Sequence, residues 1–388
     1  MSKKQPIIVD GLGLVEGHFS GVGQYILGIL RGLDTIIDDH INNQEDYHRV
    51  KVIVPFDKLR TFKKFRFKHI EYVISPLSFQ VLGALWSRNK LPPIDLFFGK
   101  GLYLFPRFVS MPLLFSKSAI VIYDISYELH REYSDERNAI FLSESVSRSI
   151  DKSDRVITIS ENAKKEIVDF YGVSSHYVSI ATPATDPHLL YRRSQTEIDK
   201  VKVQYEINGK YILALSNLEP RKNLSTLVEA YCALPKEVRD EYALLLVGVS
   251  GWKTDKLFNE IVERVKEGYN IIRPSKYVDD ADKAAIISGA KMLVYPSHYE
   301  GFGMPPLEAL ACGVPVITSD NSSLPEVVSG VGTMLGSADV KGYTKMMRRI
   351  IEDPKYEQAA LLEGPARARE FSWKASAQEV INTLEGIK

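Results

Sequence analysis

The stretch MLVYPSHYEGFGMPPLEALACGVPVIT, running from Met292 to Thr318, decides the fold class. Met292–Tyr295 is apolar throughout, the pattern of a short strand covered on both faces of a parallel sheet. A loop carrying Gly301 and Gly303 follows, and Pro305 and Pro306 lead into a helix over Pro306–Ala311 that Gly313 ends. Proline at the start and glycine past the end are ordinary helix punctuation. Val314–Thr318 then reads as the next strand. Strand, loop, helix and strand in this order make a parallel crossover unit, and such units bind ligands in the loops at the carboxyl ends of their strands. Glu300 stands in that loop and Glu308 near the first turn of the helix, so both can face a ligand. The plain alternatives are a loop acid at Glu300 and a helix-dipole partner at Glu308.

The same alternation runs outward in both directions. Tyr211–Leu215, Ala243–Val247 and Asn270–Arg273 are predicted strands separated by helical segments. Nearer the N-terminus the predicted strands are Ile7–Asp10, Arg49–Pro55, Tyr72–Ser75, Asp95–Gly99, Ile120–Asp124, Arg155–Ser160 and Tyr177–Ala181. Helices are predicted over Gly21–Leu33, Asp135–Ile150 and Glu161–Tyr171. Thr182–Gln195 has two prolines and no period, and so reads as a linker. The expectation is an α/β chain with two Rossmann-like, doubly wound domains, 1–195 and 196–372, facing a central cleft. An amphipathic C-terminal helix, Trp373–Ile387, would pack back on the first domain.

The 388 residues are 45% hydrophobic and 25% charged, enough apolar content for packed cores and too much for a disordered chain. Lys+Arg and Asp+Glu are 49 each, a balance that argues against a non-specific nucleic-acid binder. Cys232 and Cys312 alone make neither a disulfide framework nor a zinc finger. The apolar run Ile7–Val9 is too short for a signal-peptide core, and no run approaches about 20 uncharged apolar residues. A reduced, cytoplasmic protein is expected. The histidines form no H-E-x-x-H or similar pair, so no metal site is assigned.

Two further blocks carry chemistry. In Leu14–Tyr25, Gly17, Gly21 and Gly23 surround Ser20 between the first strand and a helix, where backbone N–H groups can approach a phosphate. Taken alone the block equally fits a glycine-rich turn with no ligand, and it lacks the G-x-G-x-x-G pattern of dinucleotide enzymes. Glu219-Pro220-Arg221-Lys222-Asn223 follows the first strand of the second domain, with Asn223 placed to cap the next helix. A forked guanidinium beside a mobile ammonium suits a diphosphate. Two solvated loop cations are the alternative.

These motifs in this order resemble the retaining glycosyltransferases of family 4, which have the GT-B fold. The resemblance covers nearly the whole chain and is densest over Tyr211–Val327. It rests on the glycine loop at Gly21 and Gly23, on Glu219–Asn223, and on Glu300 and Glu308 as an E-x7-E pair. Ala309–Thr318 and Leu324-Pro325-Glu326-Val327 extend it. It implies that Arg221 and Lys222 bind the donor diphosphate, that Glu300 contacts the donor sugar and that Glu308 contacts the ribose. The amides of Phe302, Gly303 and Met304 would face phosphate and sugar. It also implies a nucleotide-sugar donor as substrate, with no cofactor and no metal, because cations and a helix N-terminus take the charge. Asp124 would line the cleft beside the transferred sugar. Members often carry a His-Asp pair there; this chain has Tyr123-Asp124, so at that position either a backbone role survives or Tyr123 is a packed strand residue.

Similarity to bacterial mannosyltransferases of O-antigen or capsule assembly implies GDP-mannose as donor and a glycan or lipid-linked glycan as acceptor. An epimerase or phosphorylase on the same plan is the alternative enzyme, and a non-catalytic subunit of a glycan-assembly complex the alternative without chemistry. The run Lys58–Lys68 interleaves six cations with Phe62, Phe65 and Phe67. It reads either as a solvated basic loop or as a peripheral contact with the anionic inner membrane face.

Overall fold

In the computed structural model the described residues are 4–15, 21–87, 92–249, 251 and 254–387. They form two compact units, Met1–Pro183 with Ser372–Lys388, and Ala184–Phe371.

The first unit is built on seven parallel strands: β1 (Ile7–Asp10), β2 (Val50–Pro55), β3 (Glu71–Ser75), β4 (Leu102–Phe105), β5 (Lys117–Val121), β6 (Arg155–Thr158) and β7 (Val178–Ile180). Their order is β3-β2-β1-β4-β5-β6-β7. Strand order therefore reverses between β1 and β4, the switch point at which this architecture binds ligands. β1 and β4 are buried at every position, as their apolar sequences require of central strands.

The expected strand at Asp95–Gly99 is instead a helical turn, Asp95–Phe98. The Asp95 carboxylate accepts hydrogen bonds from the backbone N–H groups of Leu114, Phe115 and Ser116, and Gly99 ends the turn at a φ of +90°. The strand is β4, four residues further on. In the basic run, Phe62 is fully buried and packs edge-on against Phe65 and Tyr72, leaving Arg60, Lys63, Lys64, Arg66 and Lys68 exposed. Among the described residues no helix is long and apolar enough to cross a membrane.

The C-terminal helix, Trp373–Glu385, packs on the helix Gly21–Asn42 of the same unit. Gly28 and Gly32 make this approach possible: a Cβ would stand 2.3 Å from the Trp373 ring at Gly28 and 2.2 Å from the Trp373 carbonyl at Gly32. The Tyr25 ring meets the indole edge-on, 5.7 Å between centroids.

The second unit has six parallel strands: β8 (Lys210–Leu215), β9 (Tyr242–Val247), β10 (Ile271–Ile272), β11 (Leu293–Tyr295), β12 (Val316–Ser319) and β13 (Thr333–Leu335). Their order, β10-β9-β8-β11-β12-β13, reverses between β8 and β11. β13 has no counterpart among the predicted strands; its three residues are only half-buried, so it lacks the apolar run of an inner strand. Residues 184–195 belong to this unit and are tied to it where the Arg193 N–H donates to Ser288 Oγ.

Candidate active site

The switch point of the second unit gathers its charged residues. β8 leads into Leu218, Glu219 and a tight turn, Pro220–Lys222, while β11 leads into the loop 296–303. Because β8 and β11 are neighbours, the two loops lie side by side, and the His298 N–H donates to the Arg221 carbonyl at 2.8 Å. Asn223 joins them further. It precedes the helix Leu224–Cys232 in the left-handed region, φ +53°, and its side chain makes no cap. Its amide donates to the carbonyls of Pro296 and Ser337 instead, so the expected capping role gives way to a tie between loops.

Arg221, Lys222 and Glu300 meet there. Lys222 Nζ donates to Glu300 Oε1 at 2.6 Å and to the Tyr295 hydroxyl at 2.9 Å. Arg221 donates to Glu300 Oε2 at 2.8 Å and to the Tyr299 carbonyl at 3.0 Å. Its other edge, Nε and a terminal nitrogen, is held by Glu219 Oε1 at 3.1 and 2.8 Å. Two basic and two acidic side chains thus form one largely buried cluster. Burial by itself would raise the Glu300 carboxyl, but Arg221 and then Lys222 outweigh it and bring the pKa down to about 2. Serines after β12 hold the Glu300 backbone: its N–H donates to Ser322 Oγ, and Ser323 Oγ lies 2.7 Å from the Glu300 carbonyl and 2.9 Å from that of Phe302.

The helix after this loop is Met304–Ala311, beginning two residues before the expected Pro306. Gly303 precedes it at φ +129°, a conformation that side-chain-bearing residues rarely adopt. Pro305 and Pro306 have no N–H, which leaves the amides of Phe302, Gly303 and Met304 as donors at this end. Because the helix starts earlier, Glu308 is its fifth residue rather than the third, and it is buried. Lys283, on the helix Asp280–Ser288, donates to Glu308 Oε1 at 2.7 Å.

The first unit places its expected residues separately. Gly21 and Gly23 lie in the first turn of the helix Gly21–Asn42, while Gly17 and Ser20 lie outside the described residues. Asp124 follows β5 by three residues, half-buried, with Oδ1 accepting the Ser126 N–H at 2.9 Å. Tyr123 is buried beside Tyr25 and Phe108 and donates to the Pro106 carbonyl at 2.8 Å, so its side chain is part of the packing. At this unit's own switch point Asp10, the last residue of β1, pairs with Arg107, two residues after β4, at 3.2 Å.

The glycosyl transferases group 1 model matches residues 195–364. An O-antigen chain mannosyltransferase B of Escherichia coli is 32% identical over 285 residues, which is 73% of this chain and 74% of that protein. The chain belongs to the group 1 glycosyl transferases. A serotype-specific mannosyltransferase of Escherichia coli, WbdA, is 29% identical over 236 residues, 60% of this chain and 28% of that much longer protein. Among solved structures, Anabaena HepE in complex with UDP and glucose superposes with a TM-score of 0.69 at 17% identity, covering 98% of this chain and all of that one. The fold is GT-B.

Within this glycosyltransferase fold four features carried no sequence signal strong enough to assign. Glu219 stood in a quoted motif, but its role depends on the Arg221 edge it holds. Lys283 meets Glu308 across 25 residues of chain, and Ser322 and Ser323 reach Glu300 from the loop after another strand. Asp10 had one usable signal, an acid ending the first apolar strand, whereas its partner Arg107 had none.

Proposed function

We propose that this glycosyltransferase moves a mannosyl group from GDP-mannose to a glycan or lipid-linked glycan, with retention at the anomeric carbon and without a metal ion. The observation that carries the reading is the convergence of Arg221, Lys222 and Glu300 at the β8/β11 switch point. The choice of mannose is supported by the names of the two Escherichia coli relatives.

In the reaction the bond from the sugar's anomeric carbon to the diphosphate oxygen breaks, and the acceptor hydroxyl oxygen bonds to that carbon on the same face. The hydroxyl proton passes to the departing diphosphate. Arg221 and Lys222 stabilise the charge that grows on the diphosphate, and Glu300 accepts hydrogen bonds from the sugar hydroxyls. Asp124, in the first unit, would lie beside the transferred sugar, and the glycine-led helix at Gly21 and Gly23 would serve the donor phosphates. The enzyme would work in the cytoplasm, with Lys58–Lys68 touching the inner membrane face.

A thermal-shift screen with GDP-, UDP- and dTDP-sugars, followed by assay with mannose-ended acceptors, tests this. GDP-mannose at about 100 times its dissociation constant should add about 2.7 kcal/mol to stability. The product should carry a new mannose in the anomeric configuration of the donor. Stabilisation by a different nucleotide sugar alone would overturn the donor, and free epimerised sugar without acceptor would overturn the reaction.

A further inference from the structure

Glu308 and Glu300 are both buried, yet their surroundings differ. Both Glu300 oxygens are taken, one by Lys222 and one by Arg221. Among the described residues only Lys283 donates to the Glu308 side chain, and it does so to Oε1. Among the described residues no donor reaches Oε2. The Glu308 side chain is 4% exposed and that of Lys283 17%. The ammonium 2.7 Å away fixes the direction in which this enclosed carboxylate points. Lys283 is itself anchored, with Asp280 on its own helix at 3.8 Å. Burial lowers the Lys283 pKa, but Glu308 and, behind it, Asp280 and Tyr277 together raise it above the ordinary value, so the ammonium stays charged.

We infer that Lys283 is a positioning residue for nucleotide recognition: it holds Glu308 by Oε1 so that Oε2 accepts a ribose hydroxyl of the donor. The inference rests on the reading of Glu308 as the ribose contact. The two oxygens then have separate duties, one structural and one for the ligand. Neutralising a buried acid would not by itself demand that the second oxygen be left without a donor.

The test compares binding of GDP with that of 2′,3′-dideoxy-GDP by calorimetry, with UDP and 2′,3′-dideoxy-UDP run in parallel should the uridine nucleotide bind better. The quantity read is the ribose preference, the ratio of the two dissociation constants, which a general loss of stability leaves unchanged. The wild type should prefer the ribonucleotide by about ten- to a hundredfold. In Lys283→Met the ratio should fall toward one, and Lys283→Arg should restore most of it. Lys283→Gln serves in place of the Met variant if that chain does not fold, as judged by its melting transition. A full ribose preference in the Met or Gln variant would overturn the positioning role while leaving Glu308 as the ribose contact. No preference in the wild type would overturn the ribose reading itself, and the role of Lys283 with it.

Discussion

Lys222 Nζ lies 2.6 Å from Glu300 Oε1, and the two side chains are 9% and 8% exposed. On the proposed reading, the cation assigned to the diphosphate and the acid assigned to the sugar are therefore partners of one another. With Arg221 on the second oxygen and Glu219 behind it, both oxygens of Glu300 are held in place. On the proposed reading, a donor diphosphate would share these cations with Glu300 or displace it.

Loss of one of the two cations should be severe. Lys222→Ala removes a charge contact made in the transition state, worth on the order of 3 kcal/mol, so turnover should fall about a hundredfold. EDTA should leave wild-type turnover unchanged. Initial-rate assays check both, and activity lost to EDTA but recovered with magnesium would contradict the metal-free reading.

Glu300 and Glu308 should separate in binding assays. Glu300→Gln takes one negative charge from beside Arg221 and Lys222, so a sugar-free nucleoside diphosphate should bind at least as tightly while sugar transfer drops. Glu308→Ala should weaken that same nucleotide by about tenfold or more. Calorimetry on both variants reads the difference, and equal losses would mean Glu300 is misassigned.

Acid should expose the Glu300 network. Its carboxyl titrates at about 2 in the folded protein against an ordinary value of 4.5. A lowered carboxylate pKa contributes stability above the unfolded value, and that contribution is lost as pH falls toward the folded one. The melting-temperature advantage of wild type over Glu300→Gln should be constant above about pH 5 and shrink steadily below it. An advantage independent of pH down to 3 would show that the charge on Glu300 does not stabilise the fold.

Gly28→Ala should loosen the C-terminal helix. Its Cβ would stand 2.3 Å from the Trp373 ring, and relieving such overpacking costs roughly 1–3 kcal/mol. Melting should drop by several degrees, and hydrogen exchange should rise in Trp373–Glu385 before the β-strands of the unit.

If the basic run touches a membrane, it does so by charge, since Phe62 is buried and its neighbouring rings pack together. Replacing Lys63, Lys64 and Arg66 with Ser should weaken sedimentation with anionic vesicles and leave donor affinity intact. Wild-type binding should fall as salt rises. Absence of binding even at low salt would leave a solvated loop.

Most of the fold was legible because its signals are local. β9 and β11 are continuous apolar runs, β1, β2 and β8 are apolar but for one charged residue each, and proline and glycine mark the helix after β11 within a few residues. Reading failed where a short apolar run had two uses. Asp95–Phe98 looks like strand, and only the three amides it meets near Leu114 make it a turn. Asn223 has the residue type of a cap, but the loops it reaches lie 73 and 114 residues away.

The sequence by itself determined the alternation of strands and helices, the two charged loops and the order of their motifs, because each depends on neighbours along the chain. Only the tertiary structure decided that Lys222 and Glu300, 78 residues apart, form an ion pair, and that Lys283 is the partner of Glu308. Those contacts follow from strand order. Burying both faces of the sheet sets β8 against β11, and that adjacency brings Lys222 to Glu300, a distance no local pattern in the chain encodes.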